Sequence, residues 1–550
     1  MIGVIANHAQ HAAVREFFEL FKTPWEFYRN DRDYEVLLCV NEVPVETRAA
    51  RLVIVYGSHE LPLDISKDQP IGSRVNGTSV LLAKEMRIPI YKGCVTFAPD
   101  PLSVLIEEQS GRGAAYEAAQ ADGSKLVRIG YNILEEISAL LTDWQPPANA
   151  PVPTLDCHIS LLRSIIVDKG IPLVEIPPVP EGYNFIACLT HDVDHPSIRL
   201  HRFDHTMFGF LYRATIGSLL ALARGRASVR SVFANWAAAF KLPFVYMGLA
   251  KDFWNDLATY NLLEGGSRSS FFVIPFKRRP GAGIQGSAPA MRASAYGAAD
   301  IASEIGQLSS NGNEIGLHGI DAWNDSSKAR EELAEIHRIT GAQETGIRMH
   351  WLYFDKNSSS VLDRAGFDYD STVGYNEAVG YRAGTSQVYK PLGVTRLLEL
   401  PLHIMDTALF SPGRQDLSSA EASNLVRIIL DHAVQNGGVV TINWHDRSIA
   451  PERLWKDFYI DLIGELNRRG AWLTNARETV SWFRKRRSAA FNEFEFTPNG
   501  HLNITGSIEV GDNLPNLRIH VHNAPVRYAC DGDFAHAAEQ AVTHNAPSAK

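Results

Sequence analysis

Cysteine is scarce in this chain of 550 residues. There are five, Cys39, Cys94, Cys157, Cys188 and Cys530, scattered and without a C-x-x-C pair. That excludes a disulfide scaffold and a thiolate zinc site, and it suits a reducing compartment. Long apolar runs are missing too: no stretch offers the ~18 uninterrupted apolar residues of a membrane span. The nearest approach, Met207 to Ala223, is broken by Arg213. Positive charge is not in excess. Lys and Arg total 53 against 62 Asp and Glu, a net charge of −9, which argues against a nucleic-acid partner. The opening residues, MIGVIANHAQHAAVREFF, lack the basic and apolar regions of a secretory signal. The expectation is a soluble, cytoplasmic chain.

What is present is ordinary globular composition, with 45% hydrophobic and 21% charged residues, and a length that suggests three or four domains. Residues 1–145 mix strand-like and helix-like stretches and read as an N-terminal α/β accessory domain. Prolines at 146, 147, 151 and 153, and again at 177, 178 and 180, mark 146–182 as a linker. Residues 489–550 read as a small β appendage and tail. Between them, 183–488 alternates strand-like runs with helical ones. The runs are Phe185–Leu189, Ser270–Ile274, Glu314–Leu317, Thr345–Ile347, Leu397–Leu402 and Val439–Ile442. Helical stripes appear at Ile301, Ile305 and Leu308, at Leu333, Ile336 and Ile339, and at Leu425, Ile429 and Ala433. The last follows a capping box, Ser418-Ser-Ala-Glu421. A further helix is expected to open at Pro451. Such alternation implies parallel strands with crossover helices, a closed or nearly closed α/β barrel.

Five of these runs end in chemistry: Thr190-His-Asp-Val-Asp-His195, His318-Gly-Ile-Asp321, Arg348-Met-His350, His403-Ile-Met-Asp406 and Asn443-Trp-His-Asp446. In barrel enzymes the carboxyl ends of the strands share one mouth. Carboxylate and imidazole without thiolate suit a divalent ion, zinc first, with cobalt, nickel and manganese as alternatives. A catalytic ion needs about three protein ligands and an open position. Asp194, His318 and His350 are the candidates, with Asp321 as an alternative third ligand. Asp192 is the candidate base, in an irregular loop where it need not point with Asp194. His445 stands as the general acid.

The middle region, roughly 300 residues, resembles the polysaccharide deacetylase superfamily, the NodB-homology carbohydrate esterases. Thr190-His-Asp-Val-Asp194 is similar to the family's T-F-D-D motif, with Val193 inserted; His318 matches the first His of its H-x-x-x-H motif, while position 322 is Ala. The T-H-D-V-D opening and the stretch Gly366–Gly384 resemble a divergent branch of that superfamily. The resemblance implies a distorted (β/α) barrel and a metal-dependent N- or O-deacetylase. It implies Asp192 as base, Asp194 as ligand, Arg348 orienting the base and Asp406 orienting His445. Tyr375, Arg382 and Trp444 are candidates for the sugar face.

The expected substrate is an acetylated saccharide of bacterial surface-polysaccharide synthesis, lipid-linked or nucleotide-linked. A related amide hydrolase and a non-catalytic glycan-binding protein are the alternatives. Residues 207–223 read either as a packed lid or subunit-contact helix, or as an interfacial helix that meets a membrane-held substrate.

Overall fold

The computed structural model describes residues 1–42, 50–98, 104–120, 123–496, 502–508, 514–523 and 528–532. The tail beyond 532, read above as the end of the appendage, lies outside the described residues. The chain divides into two compact units, one made of Met1–Gly182, Ala383–Thr385 and Trp482–Lys550, the other of Tyr183–Arg382 and Ser386–Ser481.

The first unit is built on a six-stranded sheet in the order Ala115–Ala119, Lys125–Ile129, Leu52–Tyr56, Val36–Val40, Ile2–Ile5 and Trp25–Phe27. All its pairings are parallel except the first. The segment 146–182, expected as a linker, belongs to this unit and is folded. Its first prolines, at 146, 147, 151 and 153, precede the helix Thr154–Asp168, where a missing N–H breaks no helical bond. Leu155, Leu162 and Ile166 of that helix are fully buried. The expected separate appendage is likewise part of this unit: His520–His522 pairs antiparallel with Leu173–Glu175.

The second unit carries the site. Eight strands lie in the order Leu398–Glu399, Tyr369–Asp370, Ile347–Met349, Glu314–Gly319, Ser270–Val273, Phe185–Val193, Val439–Asn443 and Ile404–Met405, and a ninth, Ala471–Thr474, pairs with Phe185–Val193. Every pairing is parallel. The two outermost strands, Leu398–Glu399 and Ile404–Met405, are separated by four residues of chain. A parallel sheet that begins and ends so close together is curled, a distorted and incompletely closed barrel. The strands are buried on both faces, as covering helices require; Phe185, Ile186, Leu189, Val439 and Val440 have no exposed surface.

Local chemistry explains several element ends. Ser418 and Glu421 form the expected reciprocal cap of Ser419–Asn436. Pro451 opens only a short 3-10 turn, Pro451–Arg453, because Leu454 takes φ 63° and interrupts it; the helix proper is Lys456–Arg468. The run expected at Thr345–Ile347 pairs instead over Ile347–Met349.

The connection from Phe185–Val193 to Ser270–Val273 is long and holds two helical stretches, His205–Ala223 and Val229–Tyr246. The first contains a π-helical turn at Arg213–Gly217. Both are apolar on their inner and outer sides. Phe210, Ala214, Ala238, Leu242 and Val245 are buried, while Phe208, Tyr212, Ile216, Phe233, Trp236 and Phe240 are exposed.

Candidate functional site

The Phe185–Val193 strand carries the two aspartates to the mouth of the barrel. It continues past the expected end at Leu189, because Ser270–Val273 pairs with it through Thr190–Val193. Alternation along a strand sends residues two apart to the same side. Asp194 lies in the bend just past the strand's end, yet it and Asp192 both face His318 Nε2, although a loop would not have required them to point alike, while Val193 turns away into the core with no exposed surface.

Asp194 Oδ1 lies 3.4 Å from His318 Nε2 and 3.6 Å from His350 Nε2. The donor atoms of the three residues all fall within 4.8 Å of one another. Bonds of about 2.0–2.1 Å arranged tetrahedrally set donors ~3.4 Å apart, so the group has the spacing of a site for one divalent ion. Asp194 Oδ1 is buried and accepts no hydrogen bond, a costly state for a carboxylate oxygen unless a cation completes it. His318 donates its Nδ1–H to the carbonyl oxygen of Arg348 at 2.9 Å, which leaves the Nε2 lone pair facing Asp194. Burial pushes the His350 imidazole down to about 3, so it is neutral and able to ligate.

Asp321, the alternative third ligand, is engaged elsewhere. It accepts from the Ala282 amide at 2.6 Å and from Lys328 Nζ at 3.1 Å. Ala322, where the resembled motif has its second His, is fully buried.

Asp192 sits at the side of this group, its Oδ2 3.8 Å from His318 Nε2. Arg348 Nη1 donates to its Oδ1 at 3.0 Å and Asn443 Nδ2 to its Oδ2 at 2.7 Å. Arg348, with no exposed surface, also donates to Thr190 Oγ1 at 2.8 Å, Ser371 Oγ at 2.9 Å and the Ser371 carbonyl at 3.0 Å. Burial works against the Asp192 charge. The Arg348 guanidinium, with His318 and His445, more than offsets it and holds the carboxyl below the usual range.

Opposite stands His445. Its Nδ1 meets Asp406 Oδ1 at 2.6 Å, its backbone amide donates to Asp406 Oδ2 at 2.7 Å, and its Nε2 lies 3.8 Å from Asp194 Oδ2. Burial opposes an imidazolium here, but Asp406 and the two site aspartates outweigh it and raise the group to about 9. The structure thus places Asp192, Asp194, His318, His350, Arg348, Asp406 and His445 in one constellation.

Three expected sugar contacts lie elsewhere. Trp444 is fully buried, stacked on Tyr459 at 4.9 Å between ring centroids and parallel to Phe458. Tyr375 is buried, and Arg382 donates to the Gly374 carbonyl at 2.6 Å. None of the three lines the cavity. Its walls beyond the constellation include Trp351, Asn376, Arg414, Arg447 and Arg453. Trp351 and Leu352 take φ 64° and 53°, rarely populated for large residues and typical of functional loops. Asn376 holds that turn by donating to the Trp351 carbonyl at 3.0 Å. No pattern in the sequence announces a positive φ at a tryptophan. Arg447, two residues after His445, could have been found by following the last strand tip further.

No family model and no curated protein sequence matches the chain. Solved structures do resemble part of it. One is a Mycobacterium smegmatis protein assigned as a polysaccharide deacetylase, 17% identical, covering 56% of this chain and 95% of its own, with a TM-score of 0.33. A Pseudomonas aeruginosa PAO1 protein with the same assignment is 14% identical over 56% and 94%, with a TM-score of 0.35. The Puue allantoinase is 13% identical over 56% and 92%, with a TM-score of 0.33.

Two outcomes are expected from this geometry. Wild type should copurify with a divalent ion, zinc, cobalt, nickel or manganese, and Asp194→Ala and His318→Ala should not, while Asp321→Ala should keep it, as read by elemental analysis. Arg348→Met leaves Asp192 buried without its partner and should lower the unfolding free energy by about 3–5 kcal/mol, measured by denaturant titration.

Proposed function

We propose that the chain is a metal-dependent hydrolase that removes acetyl from an N-acetylated or O-acetylated saccharide in the synthesis of a bacterial surface polysaccharide. One observation carries the reading: a three-donor group with an unsatisfied carboxylate oxygen is flanked on one side by an arginine-held aspartate and on the other by an aspartate-held histidine.

Asp194, His318 and His350 would hold the ion, zinc first and cobalt, nickel or manganese as alternatives. Once bound, such an ion supplies a Lewis acid for the acyl oxygen and brings the pKa of a water toward about 7. Asp192, kept ionised by Arg348, takes the proton of the attacking water. Asn443 and Arg348 each occupy one oxygen of that carboxylate, which fixes its plane and limits the directions from which it accepts. His445, with Nδ1 committed to Asp406, presents Nε2–H to the leaving nitrogen or oxygen, so that a neutral amine or alcohol departs. The Trp351 ring at the wall offers a flat apolar surface for a sugar face.

The same proposal includes contact with a membrane surface through His205–Ala223 and Val229–Tyr246. Phe233 and Phe240 of the second helix are 72% and 77% exposed, far more apolar surface than a monomer normally leaves bare. Residues 199–251 carry eight Lys or Arg and one Asp in a chain of net charge −9. An apolar face flanked by basic residues suits an anionic leaflet, and a cytoplasmic location belongs to this reading.

Wild type should release acetate, and no ammonia, from N-acetylated oligosaccharides. Asp192→Asn should keep its metal and lose activity by a factor of ~10² or more. Ammonia release without acetate would replace this reading with amide hydrolysis of another kind. In liposome flotation the full chain should rise with vesicles containing anionic phospholipid, and Phe233→Asp with Phe240→Asp should abolish this. A wild type that stays at the bottom removes the membrane part.

A further inference from the structure

The cavity has two chemically distinct walls. One is the three-donor group with its acid and base. The other is rich in arginine, with Arg447, Arg453 and, at the exposed rim, Arg414 beside Asp446 and Ser448. Among the described residues none of these forms an ion pair within 4 Å. Among the described residues the Arg414 side chain donates to Thr407 Oγ1, at 3.1 Å. The Arg447 guanidinium lies over the ring of Trp254 at 5.3 Å and that of Arg453 over Trp455 at 4.9 Å. Arg453 Nε is buried and unpartnered.

A fourth arginine stands behind this wall, outside the cavity's lining, on the apolar connection. Arg213 opens the π-helical turn, and its Nε is also buried without a partner. That turn packs on Pro451–Arg453, and the charges of Arg213 and Arg447 both bear on Arg453. Two carboxylates lie among them: Asp446, which accepts from the Arg447 amide at 2.8 Å, and Glu452, which accepts from Trp254 Nε1 at 3.0 Å; among the described residues neither makes an ion pair with an arginine. Several guanidiniums crowded into half-buried space, with donors unspent, are costly unless an anion comes to them. Arginine forks match phosphate oxygens in geometry and charge.

We propose that Arg213, Arg447 and Arg453, with Arg414 at the rim, form a phosphate-binding subsite, so that the substrate is a saccharide bearing a phosphate or diphosphate some distance from its acetyl group. The proposal rests on the deacetylase reading for the acetyl end alone. The anion site stands or falls by itself. The phosphate has two sources, a lipid diphosphate or a nucleoside diphosphate. Arg213 belongs to the helix whose outer face is apolar, which favours the lipid.

The test uses the full-length, metal-loaded chain and inorganic diphosphate as probe, in wild type and in Arg447→Gln and Arg453→Gln, by calorimetry. To separate this site from the metal, the same titration is run on Asp194→Ala. Binding that persists in Asp194→Ala and weakens about tenfold or more in each arginine variant, with the variants' metal content unchanged, supports the subsite. Absence of binding at millimolar diphosphate, loss of binding in Asp194→Ala alone, or equal affinity in the arginine variants overturns it. Acetate release is then compared between a prenyl-diphosphate N-acetylhexosamine in detergent and the corresponding nucleoside diphosphate sugar. Preference for either identifies the source and supports the subsite. Intact diphosphate binding with no acetate from either keeps the subsite and removes the deacetylase reading. Equal turnover of the unphosphorylated sugar overturns the subsite's role in substrate choice.

Discussion

The guanidinium of Arg348 is the point on which the site depends. Its side chain joins Thr190, Asp192 and Ser371, so that it bridges the strand bearing the aspartates to the segment following Tyr369–Asp370. Its own carbonyl fixes the proton of His318. One residue therefore sets the ionisation of the base and the tautomer of a ligand at once. A buried arginine is stable only when its donors are met, and each of its partners here is also a positional constraint on the chemistry. The cation is held by the barrel, and it in turn holds the barrel's mouth in shape.

Around that point the cavity separates its tasks by wall. Carboxylate and imidazole gather where acyl chemistry would take place, and guanidinium gathers where a distant anion would be gripped. The unsatisfied atoms mark both walls: Asp194 Oδ1 on one, the Nε atoms of Arg213 and Arg453 near the other. A folded chain normally leaves few such atoms. Those beside this cavity are the ones that a bifunctional guest, with a negative charge at one end and an acyl group at the other, would meet.

Much of this was legible in the residues. The apolar-rich runs that start at Phe185, Ser270, Glu314 and Val439 lie close to strand positions, because buried parallel strands need near-continuous apolar sequence. Polar residues directly after such runs found the constellation. Three features were hidden. The strand beyond Leu189 reads as polar, and only its pairing with Ser270–Val273 keeps it extended. The prolines at 146–153 look like a linker, yet they precede a packed helix. Trp444 looks like a sugar contact beside His445, but alternation along Val439–Asn443 and the rings of Phe458 and Tyr459 take it inward. Tertiary pairing decided each case, and a local pattern cannot report it.

Val193 deserves its place between the two aspartates for a reason of backbone geometry. Asp192 stands on the paired strand and Asp194 in the bend one residue past its end, so the gap between the two carboxylates spans the point where the pairing stops. The arrangement is also unforgiving of length. Losing the single residue at 193 would remove a fully buried side chain and draw Asp194 back from the bend where it faces His318 and His350, so the spacer sets the dimensions of the site as much as the acids it separates.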